Sequence, residues 1–396
     1  MAGNSATFDP AAATAAYLAQ LPPAVHAKAA DYTHGGEWIL LWTALVAVLA
    51  GWLVLRSGVL VGVRQRLAAA PLWLMALAVI AVDVVLETVL DLPWSAYTGW
   101  WRQKAYGFTT QPFVDWLGEW LQGSLITAVG MVLLLSLIYA LIRRAPRTWW
   151  LWSTGVTAIF LAFVFVLAPV LIQPLFNTYA PAPPGPMREA VAALAKANGV
   201  PADKIMVFNG SRQSTRYTAN VSGLGGTARI AMSDTMFAKG ADLHEVRGVV
   251  GHEMGHYVLR HIYWSVGLYT LLALAAFFLI DRSFPLVLRL TGARGVTGLA
   301  DPAGVPVIGI IVTALTLVLT PVSNTISRTL EAQADAFSFE RANEPDGLAR
   351  ALIKTVEYRA ATPSRLEEAI FYSHPAVGNR IRRAMAWKAS HPTRAP

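Results

Sequence analysis

The sequence contains no cysteine. Disulfide frameworks, thiolate metal sites and cysteine nucleophiles are therefore excluded, and the redox compartment leaves no mark on the chain. Charge is scarce as well. Asp, Glu, Lys and Arg make up 14% of the 396 residues, against roughly a quarter in a soluble domain. Nucleic-acid-binding motifs, internal repeats and low-complexity tracts are missing, so no nucleic acid is expected as a partner. What is there is apolar: 55% hydrophobic residues, 14 tryptophans and a mean hydropathy of +0.45. These values imply an integral membrane protein. The net charge of +8 then reads as an orientation signal or a preference for a lipid surface.

Six segments are long and apolar enough to cross a hydrocarbon core about 30 Å thick. They run over 39–55, 71–92, 121–142, 149–173, 262–280 and 304–322, the first being short and the last carrying Pro306. Asp83 and Glu87 lie four apart within the second. Carboxylates in lipid are costly, so their shared helical face is expected to look into protein or water, with a plain interhelical polar contact as the alternative. Residues 1–37 hold Asp9, Asp31 and Glu37 and lack both an early basic region and an apolar core. They read as an amphipathic or loosely ordered leader and not as a signal peptide. The division expected from the sequence is a leader at 1–37, four spans within 38–173, a soluble section at 174–261, two spans within 262–322 and a helical section at 323–396.

In the soluble section PAPPGP (181–186) is a stiff punctuation, and MREAVAALAKANGV (187–200) has helical periodicity that ends at Gly199. KIMVF (204–208), TRYTANVSG (215–223) and TARIAMS (227–233) predict short strands, the last two joined as a hairpin through Gly225 and Gly226. Residues 242–261 predict a helix, as do 324–342, 345–360 and 376–388.

The chemistry concentrates in HEMGH (252–256). Helical positions four apart share a face, so His252 and His256 can direct imidazole nitrogens at one ion. Glu253 stands beside them, suited to act as general base. A catalytic zinc needs a third protein ligand and an open position. In NTISRTLEAQAD (324–335), Glu331 and Asp335 are again one turn apart. Glu331 can complete a His₂Glu site, and Asp335 can accept the second ring N–H of a ligating histidine. Taken alone, an acidic pair at this spacing is a common feature of a solvated helix face. His244 and His261, which flank the motif, are expected at the surface or among lipid headgroups.

HEMGH, NTISRTLEAQAD and SHPAVGNR (373–380), in that order, resemble the type I CAAX prenyl protease family of membrane-embedded zinc endopeptidases. LPWSAYTGWWRQKAYGF (92–108), PLFNTYAPAPPG (174–185) and GSRQSTRYTANVSGLGGTARIAMSDTM (210–236) extend the resemblance over most of residues 70–385. It implies a mainly α integral membrane fold in which about six helices enclose a chamber, with a small α+β zincin-type catalytic domain. It also implies one zinc held by His252, His256 and Glu331, with Glu253 as base and Asp335 as supporting carboxylate. His374 and Arg380 match a pair that steadies the tetrahedral oxyanion, Asn220 a strand position that holds substrate backbone, and Asn324 and Arg328 positions near the site. Two departures stand out. The family's Ser-Asn-Ala-Tyr stretch reads Thr-Ala-Asn-Val at 218–221, so the aromatic after the asparagine is missing, and residues 1–37 stand where the family has a further span.

The expected partners are a peptide or membrane-associated protein substrate and the bilayer of a plasma or inner membrane; oligomeric state is not legible. Loops 56–70, 143–148 and 281–303 fall on one side and carry Arg56, Arg64, Arg66, Arg143, Arg144, Arg147, Arg282, Arg289 and Arg294. The positive-inside rule makes that side cytoplasmic and the zinc section external. The family resemblance implies the reverse. Two readings compete with a protease: a non-catalytic membrane scaffold or chaperone, against which the intact Glu253 speaks, and a transporter, which would want more charge deep in the spans.

Overall fold

The structure is a computed structural model describing residues 8–223, 227–237 and 242–392. Six helices have the length and hydropathy of membrane spans among these residues: Pro23–Ser57, Leu72–Ala105, Phe113–Arg144, Trp149–Leu175, His261–Thr291 and Pro302–Ala342. Each covers one of the apolar segments read from the sequence, but for Pro71, which caps the second, and extends beyond it, because a helix does not end where hydropathy falls but where its backbone is capped or broken. Pro306 sits in the first turn of the last helix, where a missing N–H costs nothing.

The chain forms two compact units, Met1–Glu37 with Val166–Ile262 and Thr320–Pro396, and Trp38–Phe165 with Tyr263–Leu319. The second is the membrane unit. Its core gathers Val79, Ile80, Tyr139, Trp149, Phe284 and Val307, while Trp73, Leu125 and Ile159 point outward. Trp149 donates from Nε1 to Asp281 Oδ1 at 2.7 Å, and Asp301 pairs with Arg64 while capping the last span through Ala303 N at 3.0 Å. Asp83 is buried, and Glu87 lines a cavity of about 300 Å³ with Thr88, Asp91, Ser124 and Thr313. The acidic face therefore looks into protein and a polar cavity, as membrane energetics demands.

The first unit carries a four-stranded sheet in the order β1-β2-β4-β3. The strands are β1 (Tyr179–Pro181), β2 (Ile205–Phe208), β3 (Ala219–Ser222) and β4 (Arg229–Ser233). β2 and β4 run parallel, while the other neighbours are antiparallel. The β3–β4 register sets Ala219 opposite Met232 and Ser222 opposite Arg229, a hairpin-like pairing. Its turn at Gly225 and Gly226 lies outside the described residues. β1 has no sequence counterpart, because its three residues are masked by the proline-rich punctuation around them.

Of the two readings of the leader, amphipathic or loosely ordered, the described residues take the first. Residues 10–18 form a helix capped by Asp9, and Pro23–Ser57 is one helix through residue 37. Ala13, Tyr17, Leu18 and Leu21 pack on a core of Leu348, Leu352, Val377 and Ile381, with Ala29 buried in it. Apolar residues spaced irregularly among alanines hide an amphipathic face until the surface that receives it is known.

Candidate metal centre

The helix Leu243–Val258 starts at Asp242, whose side chain accepts from His244 N at 2.8 Å. Val246, Val250 and Met254 recur every fourth residue and bury one stripe among Val221, Ile230 and Met232 of the sheet. A second stripe is glycine. A Cβ on Gly255 would stand 3.0 Å from Ala334 Cα, and one on Gly248 would stand 2.6 Å from Leu348 N. At Gly255 the absent side chain lets this helix lie against Val305–Phe337, the helix that bears Glu331 and Asp335, and at Gly248 it does the same for the helix Pro345–Lys354.

Three ligand-type side chains meet there. His252 Nε2 lies 3.2 Å from His256 Nε2 and 3.2 Å from Glu331 Oε2, and His256 Nε2 lies 3.5 Å from Glu331 Oε1. One donor atom from each falls within 4.8 Å of the others. Glu331 Oε2 is buried without a hydrogen bond. Lone pairs facing one another around an orphaned carboxylate oxygen fit a cation, and the set of two imidazoles and one carboxylate suits a divalent metal such as zinc.

Behind the ligands stands a second set of polar groups. Asp335, fully buried, accepts at 2.9 Å from His252 Nδ1. Arg380 grips Asp335 from two nitrogens, Nε at 2.8 Å and Nη2 at 2.6 Å. Burial opposes charge on His252, but the Asp335 and Glu331 carboxylates overcome it and hold the ring up at about 9. Burial and the neighbouring His252 charge push His256 down to about 3. Glu253 goes up to about 7 through burial, with Glu331 raising it further and His252 opposing. His374 reaches the cluster at Nε2, 3.3 Å from Glu331 Oε1, and burial together with Arg359 and Arg380 pushes it down to about 4 against the pull of Glu331.

The remaining expectations divide. Arg380 is buried and committed to Asp335, so it supports the site from behind instead of lying open toward an oxyanion. Asn324 donates to Ile370 O at 2.7 Å, and Arg328 donates to Glu368 O at 2.8 Å and Tyr372 O at 2.6 Å. Both pin the stretch that carries His374. Asn220 lies on β3, an edge strand, with its Oδ1 buried and without a partner. His244 is half-exposed and pairs with Glu344. His261 overturns its surface reading: it is 3% exposed, and its Nδ1 lies 2.9 Å from His256 Nδ1. A histidine five positions past the motif was the signal available for it.

The profile of Peptidase family M48 matches residues 181–388, and that of the CAAX prenyl protease N-terminal region with five membrane helices matches residues 10–178. The chain belongs to peptidase family M48. It is a multi-pass membrane metalloprotease of the CAAX prenyl protease type. An uncharacterized metalloprotease of Bacillus subtilis, YhfN, is 30% identical over 88% of this chain and 80% of its own. CAAX prenyl protease 1 of Saccharomyces cerevisiae is 30% identical over 75% of this chain and 69% of its own, and the Arabidopsis thaliana homolog is 30% identical over 78% and 73%. The solved structure of S. mikatae Ste24p shares the fold, with a TM-score of 0.77 over 95% of both chains at 21% identity. The stretch matched by the five-helix M48 N-terminal profile holds four candidate spans among its described residues, and the short helix Pro10–Leu18 lies ahead of them.

Proposed function

We propose that this M48 protein is a zinc-dependent endopeptidase that hydrolyses peptide bonds in hydrophobic or membrane-associated peptides. The observation that carries the reading is the convergence of His252, His256 and Glu331, with the buried Glu253 in electrostatic reach of His252 and Glu331. When bound there, zinc supplies Lewis acidity toward a carbonyl oxygen and acidifies a neighbouring water. Glu253 takes a proton from the attacking water as its oxygen bonds to the peptide carbon, and returns it to the amide nitrogen as the C–N bond breaks. Its raised proton affinity suits both halves of that exchange near neutral pH. His374 donates a hydrogen bond from Nε2 to the carbonyl oxygen as negative charge gathers on it. Arg380 keeps Asp335 in place, and Asp335 keeps the His252 ring aimed.

The edge strand β3 receives the extended substrate backbone by strand addition, with Asn220 as a side-chain contact. Recognition through main chain reads shape more than sequence, so specificity comes from access. Prenylated peptides are one candidate class, since the plant and yeast relatives are called CAAX prenyl proteases.

Purified protein in detergent is expected to cleave a quenched hydrophobic peptide, to stop when a chelator removes the metal, and to resume with zinc. Undiminished cleavage in chelator would end the metal mechanism. Glu253→Gln is expected to hold one zinc per chain and to lose about 10²–10⁴-fold in turnover. A paired peptide with and without a prenyl group, compared by kcat/KM, decides whether the lipid is read.

A further inference from the structure

His256 shows its two ring nitrogens to different neighbours. Nε2 faces His252 Nε2 at 3.2 Å and Glu331 Oε1 at 3.5 Å, and Nδ1 meets His261 Nδ1 at 2.9 Å. On its other side, His261 Nε2 lies 3.1 Å from Gln333 Oε1. Two imidazole nitrogens this close share one proton: one ring donates and the other accepts. An amide oxygen only accepts, so His261 carries its proton on Nε2 and gives it to Gln333. Its Nδ1 is then bare and accepts from His256. His256 in turn carries its proton on Nδ1, which leaves the Nε2 lone pair free toward Glu331 and His252.

We propose that His261 and Gln333 are positioning residues that hold His256 in the one tautomer able to bind a metal through Nε2. The proposal rests on the reading of His252, His256 and Glu331 as the ligand set. It makes the two histidine ligands unlike. His252 is backed by an ionised carboxylate whose charge Arg380 covers. His256 is backed by a neutral ring and a neutral amide, so no second buried carboxylate with its own cation is required. The backbone is shaped for this contact. On an unbroken helix, residues five apart diverge by about 140° around the axis. Here the helix ends at Val258, Arg260 takes a left-handed φ of 58°, and the next helix opens on His261. A non-glycine residue in that region is strained, and the strain turns the His261 ring back to His256.

The test is zinc affinity by competition with a chromophoric chelator, beside 15N histidine NMR of the metal-free protein in detergent. His261→Ala is expected to weaken zinc binding about 10–100-fold, as loss of a hydrogen-bond support to a ligand does. His261→Gln restores an acceptor carbonyl and is expected to recover most of that loss. Gln333→Met keeps the length, removes the acceptor and is expected to cost about tenfold. Two-bond 15N–1H couplings, assigned through signals lost in His261→Gln, are expected to show Nε2–H on His261 and Nδ1–H on His256. Zinc affinity of His261→Ala within about twofold of wild type would overturn the proposal. So would a proton on His261 Nδ1, since the amide would then be turned round and His256 Nε2 blocked. If His261→Ala does not fold, Gln333→Met and the couplings decide. Wild-type protein that binds no zinc, yet shows these couplings, would defeat the ligand reading and leave the relay standing.

Discussion

The two units treat buried charge differently. In the unit that holds the metal centre, three buried carboxylates outside the candidate ligand set have cationic partners: Asp335 with Arg380, Glu245 with Lys354, and Glu344 with His244 and Arg247. In the membrane unit Asp301 has Arg64, but Asp83 keeps a buried carboxylate oxygen without a hydrogen bond, and the buried Tyr139 hydroxyl has none either. The pairs of the first unit act as fixtures. Each removes the freedom of a side chain that another residue depends on, and the cost of desolvation is offset by the geometry it enforces. Asp83 enforces nothing of that kind, and is tolerated because the packing around it excludes lipid.

The contrast can be broken from either side. Its largest expected effect is at Asp335–Arg380. Arg380→Met leaves Asp335 buried with His252 as its remaining partner and without its cation, and is expected to cost about 3–5 kcal/mol, read as a fall in the thermal midpoint with loss of zinc. If the double variant Asp335→Leu with Arg380→Met is no more stable than the single one, the pair is not the source of the cost. Next comes the approach of the two ligand helices. Gly255→Val drives a branched side chain toward Ala334 and is expected to cost about 1–3 kcal/mol, with zinc lost because Glu331 moves away from the imidazoles. Unchanged zinc stoichiometry would show that the helices can part without opening the site. On the membrane side, Asp83→Leu is expected to raise stability by about 1 kcal/mol, since it removes an unsatisfied buried oxygen. A drop in thermal midpoint would mean that Asp83 holds something in place after all. The smallest effect belongs to Arg260→Gly, which relieves the left-handed residue and gains roughly 0.5 kcal/mol after the extra entropy of glycine is counted. Its use is to sharpen the account of the turn: zinc affinity should stay as it was.

Legibility in the sequence followed range. His252, His256, Glu253, Glu331 and Asp335 were readable because the helix repeat places four-apart residues together, and that rule needs no knowledge of what lies opposite. The spans were readable for a similar reason, since hydropathy sums over a segment. The sequence misled where a residue's role depends on its partner. Asn324 and Arg328 were expected only as positions near the site, and what they hold there, the backbone ahead of His374, came from the structure. Arg380 was expected at an oxyanion and instead grips Asp335. For residues 1–37 the sequence left an amphipathic and a loosely ordered leader open; the described part is helical, and its apolar face shows itself only against Leu348 and Ile381.

By itself, then, the sequence determined that the chain enters a membrane, that six segments can cross it, and that two short helical motifs carry two histidines and a glutamate able to hold a metal, with a further glutamate next to the first histidine. All of these follow from local composition and a fixed periodicity. Only the tertiary structure decided that the two motifs meet, which they do because glycines let one helix lie against the other. It alone decided that Arg380 and His261 stand behind the candidate ligands, because a hydrogen bond between residues brought together by a helix interruption or a remote helix has no signature in spacing.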